Sequence, residues 1–165
     1  KATCQDLIPV SDQFFRDTCV DVTATMLEHM DEFWLMLPVE AAREQLLRVP
    51  ALWLTNYAHE WRLRQSIAAH IPALIPTMLL DDEDGCLITL SLLALNDPVN
   101  ALRNIGIQCV PITYRTFREH DETIADGFLS MLCDMAHAST SRQRTTFLNI
   151  VQSVSYTHLT LPTKA

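Results

Sequence analysis

The chain has 165 residues, 48% of them apolar, and a formal net charge of −8. This length suits a single domain with a real core, and the negative charge argues against nucleic acid as a partner, because phosphate binding needs a basic face. Only three glycines occur, which argues against a sheet rich in tight hairpins and against a glycine-rich phosphate loop. The predicted fold class is therefore all-α.

Apolar residues recur at helical spacing along most of the chain and predict four pairs of helices. The first helices of the pairs are expected at about 5–16, 39–57, 82–95 and 121–138. The second helices are expected at about 19–36, 59–78, 98–118 and 141–154. Four prolines fall inside these patterns and predict kinks or breaks in the helices, at Pro50, Pro72, Pro76 and Pro111.

One position repeats in the second helices, and we call it the slot. Arg64, Arg103 and Arg144 occupy the slot at intervals of 39 and 41 residues, and Thr23 lies 41 residues before Arg64. A helix-pair period near 40 residues is typical of HEAT-type α-solenoids, in which each pair buries its apolar stripe against its neighbours. We therefore predict an all-α HEAT-type superhelix of about four units, at about 5–36, 39–78, 82–118 and 121–154.

The slot arginines are expected beside the turn that joins the two helices of a pair. From there each guanidinium is predicted to reach a carboxylate or carbonyl of the neighbouring unit, as a structural link between repeats. Three turn residues are candidate partners, namely Asp17, Asp97 and Asn56.

Trp61 and Arg62 precede the slot in "EWRLRQ" (60–65) and allow two interpretations. Trp61 is either an ordinary half-buried aromatic that covers the core or part of a contact surface. The second interpretation has a physical basis, because the turns of a solenoid line up along one ridge and Trp and Arg are common binding hot spots.

The motifs of common enzymes and metal sites are incomplete in this chain. An EF-hand loop placed on "DDEDG" (81–85) has Leu80 at its first position and Ser91 at its twelfth, so the stretch is expected to be an acidic, solvated loop and helix start. "HEWRL" (59–63) lacks the second histidine of a zincin, because position 63 is Leu. We therefore predict no catalytic residue, no metal site and no cofactor.

Cysteine usage bears on the compartment. The five cysteines are odd in number and show no CxxC spacing. All are expected to be reduced core residues of a cytoplasmic or nuclear protein. No apolar run is long enough to cross a membrane.

The two ends of the sequence raise separate expectations. The chain begins at Lys1 without methionine, as a fragment of a longer protein does. The last stretch, "SYTHLTLPTKA" (155–165), breaks the helical period and looks like translated sequencing-adapter sequence. We expect it to be a non-native tail that packs on nothing, and we exclude it from the fold.

Several stretches resemble the HEAT-repeat scaffold and regulatory subunits of the phosphoprotein phosphatases of types 4 and 2A. The resemblance covers roughly residues 5–154. "EWRLRQSIAAHIPAL" (60–74) is similar to a Trp-Arg-x-Arg helix of this family, and "LNDPVNALRNIG" (95–106) to its turn with Asp, Val and Arg. "STSRQRTTFLNIV" (139–151) is similar to a unit with a polar turn. The three occur in order and at matching intervals.

The resemblance implies a non-catalytic scaffold whose turns grip a serine/threonine phosphatase catalytic subunit or a further regulatory subunit. The implied contacts are Trp61, Arg62, Val99 and Ser141; the type 2A scaffold has a larger, aromatic residue where Ser141 stands. An alternative of another class is a HEAT-repeat adaptor such as a nuclear-transport receptor, which binds cargo and a GTPase. Neither alternative involves nucleic acid or a membrane.

Overall fold

The computed structural model describes residues 4–78 and 85–159, and all of their side chains except those of residues 4–6, 77 and 156–159. These residues form helices and turns, and no strand occurs among them. The helices are α1 (Cys4–Phe15), α2 (Val20–Glu28), α3 (Met30–Leu35), α4 (Val39–Leu54), α5 (Trp61–Met78), α6 (Cys86–Asn96), α7 (Asn100–His120), α8 (Glu122–Asp134) and α9 (Ser141–Leu159). A short 3-10 turn, Met135–His137, follows α8.

The all-α prediction is confirmed for the described residues, and each predicted helix has a counterpart within a few residues of its expected bounds. The second helix of the first pair is the exception, because it consists of α2 and α3, separated at His29. The backbone of His29 has φ −115° and ψ 17°, outside the α-helical region. The predicted start of the third unit at residue 82 lies outside the described residues, and α6 begins at Cys86.

The prolines do not break the helices, so that part of the prediction was wrong. Pro50 lies inside α4, Pro72 and Pro76 inside α5, and Pro111 inside α7. Each proline removes one backbone hydrogen bond. Deep burial of neighbouring side chains offsets this loss, as in α5, where Ile71 and Ile75 are fully buried.

The chain divides into two compact units, residues 1–90 and residues 91–165. In the first unit α1 packs on α2, and α2 and α3 pack on α5. Its most deeply buried large side chains include Leu27, Met30, Leu46, Ile67, Ile71 and Leu74. Within this unit, the second helices of successive pairs are therefore direct neighbours.

The second unit repeats this arrangement, because α7 packs on both α8 and α9. Phe117 and Phe128 are fully buried where α7 meets α8, with ring centroids 5.3 Å apart in an edge-to-face geometry. Gly106 lets the backbone of α7 approach α6 closely, since a Cβ built there would lie 3.1 Å from the Leu95 nitrogen. Small size at this position thus sets the spacing of these two helices.

Burial of the cysteines differs from the expectation of a uniform core role. Cys86 and Cys109 are buried, but Cys19 and Cys133 are exposed. Cys19 lies in the turn before α2, and Cys133 lies in the last turn of α8. The core assignment was therefore wrong for these two, while the side chain of Cys4 lies outside the described residues.

The last helix is longer than predicted. Its end was expected at residue 154, but α9 continues to Leu159. The first proline beyond residue 154 is Pro162, so nothing before it removes a backbone donor. Ser155 is exposed, and its hydroxyl donates to the Val151 carbonyl at 2.8 Å. Residues 160–165 lie outside the described part, and the non-native origin of 155–165 stays a prediction. No described helix is long and apolar enough to span a membrane.

Candidate functional site

The slot has the same place in all four second helices. It is the fourth residue of α2, α5, α7 and α9, occupied by Thr23, Arg64, Arg103 and Arg144 respectively. In each case the slot N–H donates to the carbonyl four residues earlier, at 3.3 or 3.4 Å. The sequence repeat is therefore also a repeat of backbone geometry at the turn.

The side chain of Arg64 bends back over the turn that precedes its helix. Its Nη1 donates to the main-chain oxygens of Tyr57 and Ala58, each at 2.6 Å. Arg64 is only 4% exposed. A buried cation at the positive end of a helix is unfavourable by itself, so these carbonyl contacts are what makes the position tolerable.

The other slot arginines make equivalent bonds. Nη1 of Arg103 donates to the main-chain oxygens of Asp97 and Pro98, both at 2.8 Å. Nη1 of Arg144 donates to the main-chain oxygens of residues 138 and 139, at 2.7 and 2.9 Å. Arg103 is half-buried and Arg144 is exposed, so the same bonds occur in progressively wetter surroundings from Arg64 to Arg144.

Thr23 performs a similar task without a charge. Its hydroxyl donates to the main-chain oxygen of Asp17 at 3.3 Å and to that of Phe14 at 3.1 Å. The Asp17 oxygen lies six residues before the slot, as do the Ala58 and Asp97 oxygens bound by Arg64 and Arg103. The first unit is thus a genuine member of the repeat, although it lacks the arginine.

The hydrogen bonds of the slot described above lie within one helix pair. The turn carboxylates also act inside their own turns, because Asp17 accepts from the Cys19 N–H at 2.7 Å and Asp97 from the Val99 N–H at 2.8 Å. The link of the slot arginines to a neighbouring unit therefore stays a prediction.

Other side chains join successive pairs within each compact unit. In the first unit, the buried Tyr57 hydroxyl donates to the Phe15 carbonyl. His70 Nδ1 lies 3.1 Å from a carboxylate oxygen of Asp31. In the second unit, the side-chain amide of Gln143 donates to that of Asn96 at 2.8 Å. Neutral donors thus make contacts of the kind that the sequence assigned to arginine.

Trp61 and Arg62 form the start of α5. The guanidinium carbon of Arg62 lies 4.8 Å from the centroid of the Trp61 ring, within the range of a cation–π contact. Trp61 is partly exposed and Arg62 is exposed, whereas Arg64 is buried. These exposures agree with those expected for a contact pair beside a structural arginine, while the binding role itself stays a prediction.

Val99 and Ser141 occupy related positions in the second unit. Val99 is the half-buried residue before α7, and Ser141 is the exposed first residue of α9. The structure brings Ser141 to a groove between α7 and α9, close to Asn100. Their role in partner binding also stays a prediction.

This groove contains polar residues that the sequence interpretation missed. It encloses about 370 Å³. Its polar lining includes Asn100, Arg103, Ser141, Arg142, Thr145 and Asn149. A signal was present in the sequence, because neither residues 100–118 nor residues 141–159 contain an Asp or Glu, although the chain carries 20 of them.

Burial and hydrogen bonding shift three pKa values. Burial raises the pKa of Cys109 to about 11, and burial also raises the pKa of Tyr57 well above its ordinary value, with the charge of Arg16 acting in the opposite direction. The Thr123 N–H, which donates to Asp121 at 2.7 Å, lowers the pKa of that carboxyl. A protonated, buried thiol is a poor nucleophile, so these shifts concern stability.

Metal-binding potential was searched over the described residues, where no cluster of three His, Cys, Asp or Glu side chains has the geometry to hold an ion. The acidic residues 81–84, for which calcium binding was considered, lie outside the described part of the chain.

Comparison with known proteins adds one relationship. The chain is 26% identical over 108 residues to serine/threonine-protein phosphatase 4 regulatory subunit 1 from human, and the mouse and rat proteins match equally. The match covers 66% of this chain but only 11% of each relative. No family model and no solved structure matches. The similarity is to regulatory rather than catalytic subunits.

Proposed function

We propose that the chain is a non-catalytic HEAT-repeat scaffold that binds a serine/threonine phosphatase catalytic subunit, of type 4 or type 2A, through the turns of its helix pairs. The observation that carries this proposal is the similarity to phosphatase 4 regulatory subunit 1. A regulatory role agrees with an all-helical architecture, because helix pairs in series present long binding surfaces.

The turn geometry supports a binding ridge. Four turns are capped in the same way by a slot residue, with side-chain bonds to the carbonyls just before the second helix. A rigid turn holds the exposed residues beside it in a fixed orientation, which lowers the entropic cost of binding. Trp61, Arg62, Val99 and Ser141 lie three, two, four and three residues before a slot residue, respectively.

Apolar faces at the outer helices support the stacking of pairs into a superhelix. In the first unit, a groove of about 560 Å³ follows one face of α2 and α3 and is lined by Phe14, Val22, Met26 and Phe33 among others. In the second unit, α9 exposes Leu148 at 65% and Val151 at 46%. Faces of this kind are the surfaces on which further pairs of a solenoid pack.

The proposal extends to partners and compartment. A further regulatory subunit is a second protein partner, and the scaffold itself needs no cofactor. We place it in the cytoplasm or nucleus, where Cys86 and Cys109 stay reduced inside their helices.

Capture of purified partners tests the proposal. The chain is immobilised, and the catalytic subunits of phosphatases 4 and 2A are passed over it alongside a Ran-type GTPase and a helical protein of similar negative charge. We expect one of the phosphatase subunits to be retained and the other two proteins to pass. Retention of the GTPase alone would establish the transport-adaptor alternative, and retention of nothing would refute the scaffold proposal for this chain.

A further inference from the structure

Charge is segregated in the second unit. Residues 100–118 and 141–159 contain five of the twelve basic residues and no acidic residue, in a chain of net charge −8. The five are Arg103, Arg115, Arg118, Arg142 and Arg144. Because α7 packs directly on α9, these two segments form one locally positive surface.

The groove between α7 and α9 runs along this surface, and we call it the α7–α9 groove. It has two adjoining parts of about 370 Å³ each, which share Ile107 and Asn149 in their linings. The second part is lined mainly by side-chain amides, those of Asn104, Gln108 and Gln152. Helical spacing carries the groove face of α7 onward to Arg115 and Arg118, both exposed.

The groove residues present chemistry that suits an acidic peptide. The guanidinium of Arg142 is exposed and has no hydrogen-bond or ion-pair partner in the described part of the chain, which leaves it available for a carboxylate. Side-chain amides such as those of Asn104 and Asn149 carry both a donor and an acceptor, as a peptide backbone requires of its partner. We infer that the α7–α9 groove binds an extended, acidic segment of a partner protein.

The lining distinguishes this ligand from a nucleic acid. Proteins that bind single strands provide aromatic side chains on which bases stack, and neither part of the groove has an aromatic residue in its lining. Uncharged amides and hydroxyls are instead suited to main-chain groups. The same positive charge is therefore better matched by carboxylates on a polypeptide.

The length of the groove sets the length of the segment. From Asn100 to Gln108 the axis of α7 rises about 12 Å at 1.5 Å per residue, which an extended peptide covers in about four residues at 3.3 Å each. Continuing to Arg118 brings the distance to about 27 Å, or about eight extended residues. Probes of about eight residues therefore span the whole surface.

The inference rests on the proposed scaffold function only for the identity of the protein that carries the segment. Binding of a peptide to the groove is measured without a phosphatase. Failure of phosphatase capture with intact peptide binding would refute the scaffold proposal alone, and the reverse result would refute the acidic-segment inference alone.

Fluorescence anisotropy with a labelled peptide of alternating Glu and Ser tests the inference. The control probe has Gln in place of Glu, and a single-stranded RNA of similar length is the third probe. Two variants place a negative charge in the groove, Arg142→Glu and Asn149→Asp. Arg62→Glu is the matched control, because it makes the same charge change as Arg142→Glu at an exposed site in the first unit.

We expect the acidic peptide to bind and the Gln peptide not to bind. Arg142→Glu should weaken binding about tenfold or more and Asn149→Asp by several-fold, whereas Arg62→Glu should change it by less than about twofold. Circular dichroism verifies that each variant is folded. Equal binding of both peptides, full binding by the folded Arg142→Glu variant, or tighter binding of RNA with the same sensitivity to both groove variants would overturn the inference.

Discussion

Arg64 donates a hydrogen bond of 2.6 Å to the main-chain oxygen of Tyr57, whose own hydroxyl donates to the carbonyl of Phe15 at the end of α1. One residue of the turn thus connects the slot of the second pair to the turn of the first pair. The arginine fixes the turn, and the tyrosine carries the link between pairs. Removal of either side chain is therefore expected to have a different consequence.

Replacement of the slot arginine should cost stability in proportion to its burial. Arg64→Ala removes a charged donor from two main-chain oxygens in a buried turn, and we expect a loss of about 2–3 kcal/mol in the free energy of unfolding. Arg144→Ala removes equivalent bonds from an exposed turn, where water replaces the donor, and should cost less than about 1 kcal/mol. Urea denaturation of both variants measures the difference, and equal losses would show that burial is not what sets the value of the slot.

Two glycines provide a matched pair of helix substitutions. Alanine favours a helix over glycine by about 1 kcal/mol, and Gly127→Ala in α8 has nothing within 4 Å of the new Cβ. That variant should gain about 0.5–1 kcal/mol in stability. At Gly106 the new Cβ would lie 3.1 Å from the Leu95 nitrogen and 3.2 Å from the Ala94 carbonyl carbon. Because backbone must move there, we expect a net loss of about 1–2 kcal/mol.

Thermal or urea unfolding of the two alanine variants checks the close packing of α6 and α7. If Gly106→Ala is as stabilising as Gly127→Ala, the two helices are free to separate and the glycine does not set their spacing.

Helix positions were predictable because apolar periodicity reports which face of a segment is buried. The spacing of Arg64, Arg103 and Arg144 also located the turns, since the slot proved to be the fourth residue of each second helix. The partners of these arginines were harder to predict, because sequence spacing does not distinguish the carbonyls of the preceding turn from groups on a neighbouring pair. Both lie within reach of a long side chain.

Features that depend on three-dimensional neighbours were not predictable in the same way. The interruption at His29 has no proline or glycine to mark it. The continuity of α5 through Pro72 and Pro76 depends on the burial of residues such as Ile71, which a local propensity does not contain. The α7–α9 groove exists only when two segments about 40 residues apart lie side by side, although their lack of acidic residues was visible in advance.

The buried thiol of Cys109 predicts a loss of stability at high pH. Its pKa is raised from 9.0 to about 11 by burial, so the folded state retains a proton that the unfolded state releases. This contribution is fully present below about pH 9 and is lost as the pH rises through about 11. The wild type should therefore lose about 1–2 kcal/mol relative to Cys109→Ala between pH 8 and pH 11.

Urea denaturation of both proteins at several pH values measures that difference. The comparison cancels the effect of Tyr57, whose pKa is raised by the same physical cause and is present in both. Parallel stability curves would show that the Cys109 thiol is not desolvated in the folded state.

Trp61 and Arg62 decide whether the turns bind a partner. The Trp61→Ala/Arg62→Ala double variant removes a partly exposed ring and the cation that lies against it, but keeps Arg64 and its bonds to the turn. If both are contacts, the affinity for the captured phosphatase subunit should fall by about 2 kcal/mol or more. The loss of folding stability should be smaller than that of Arg64→Ala, because the removed groups are more exposed.

Arg64→Ala is the matched control for this prediction, since it changes the same helix start from the inside. It should lower the unfolding free energy while the binding per folded molecule stays near that of the wild type. The two arginines project about 200° apart on the helix, so neither substitutes for the other. If the double variant instead destabilises the fold and the molecules that remain folded bind normally, Trp61 is a core residue and the contact surface lies elsewhere on the chain.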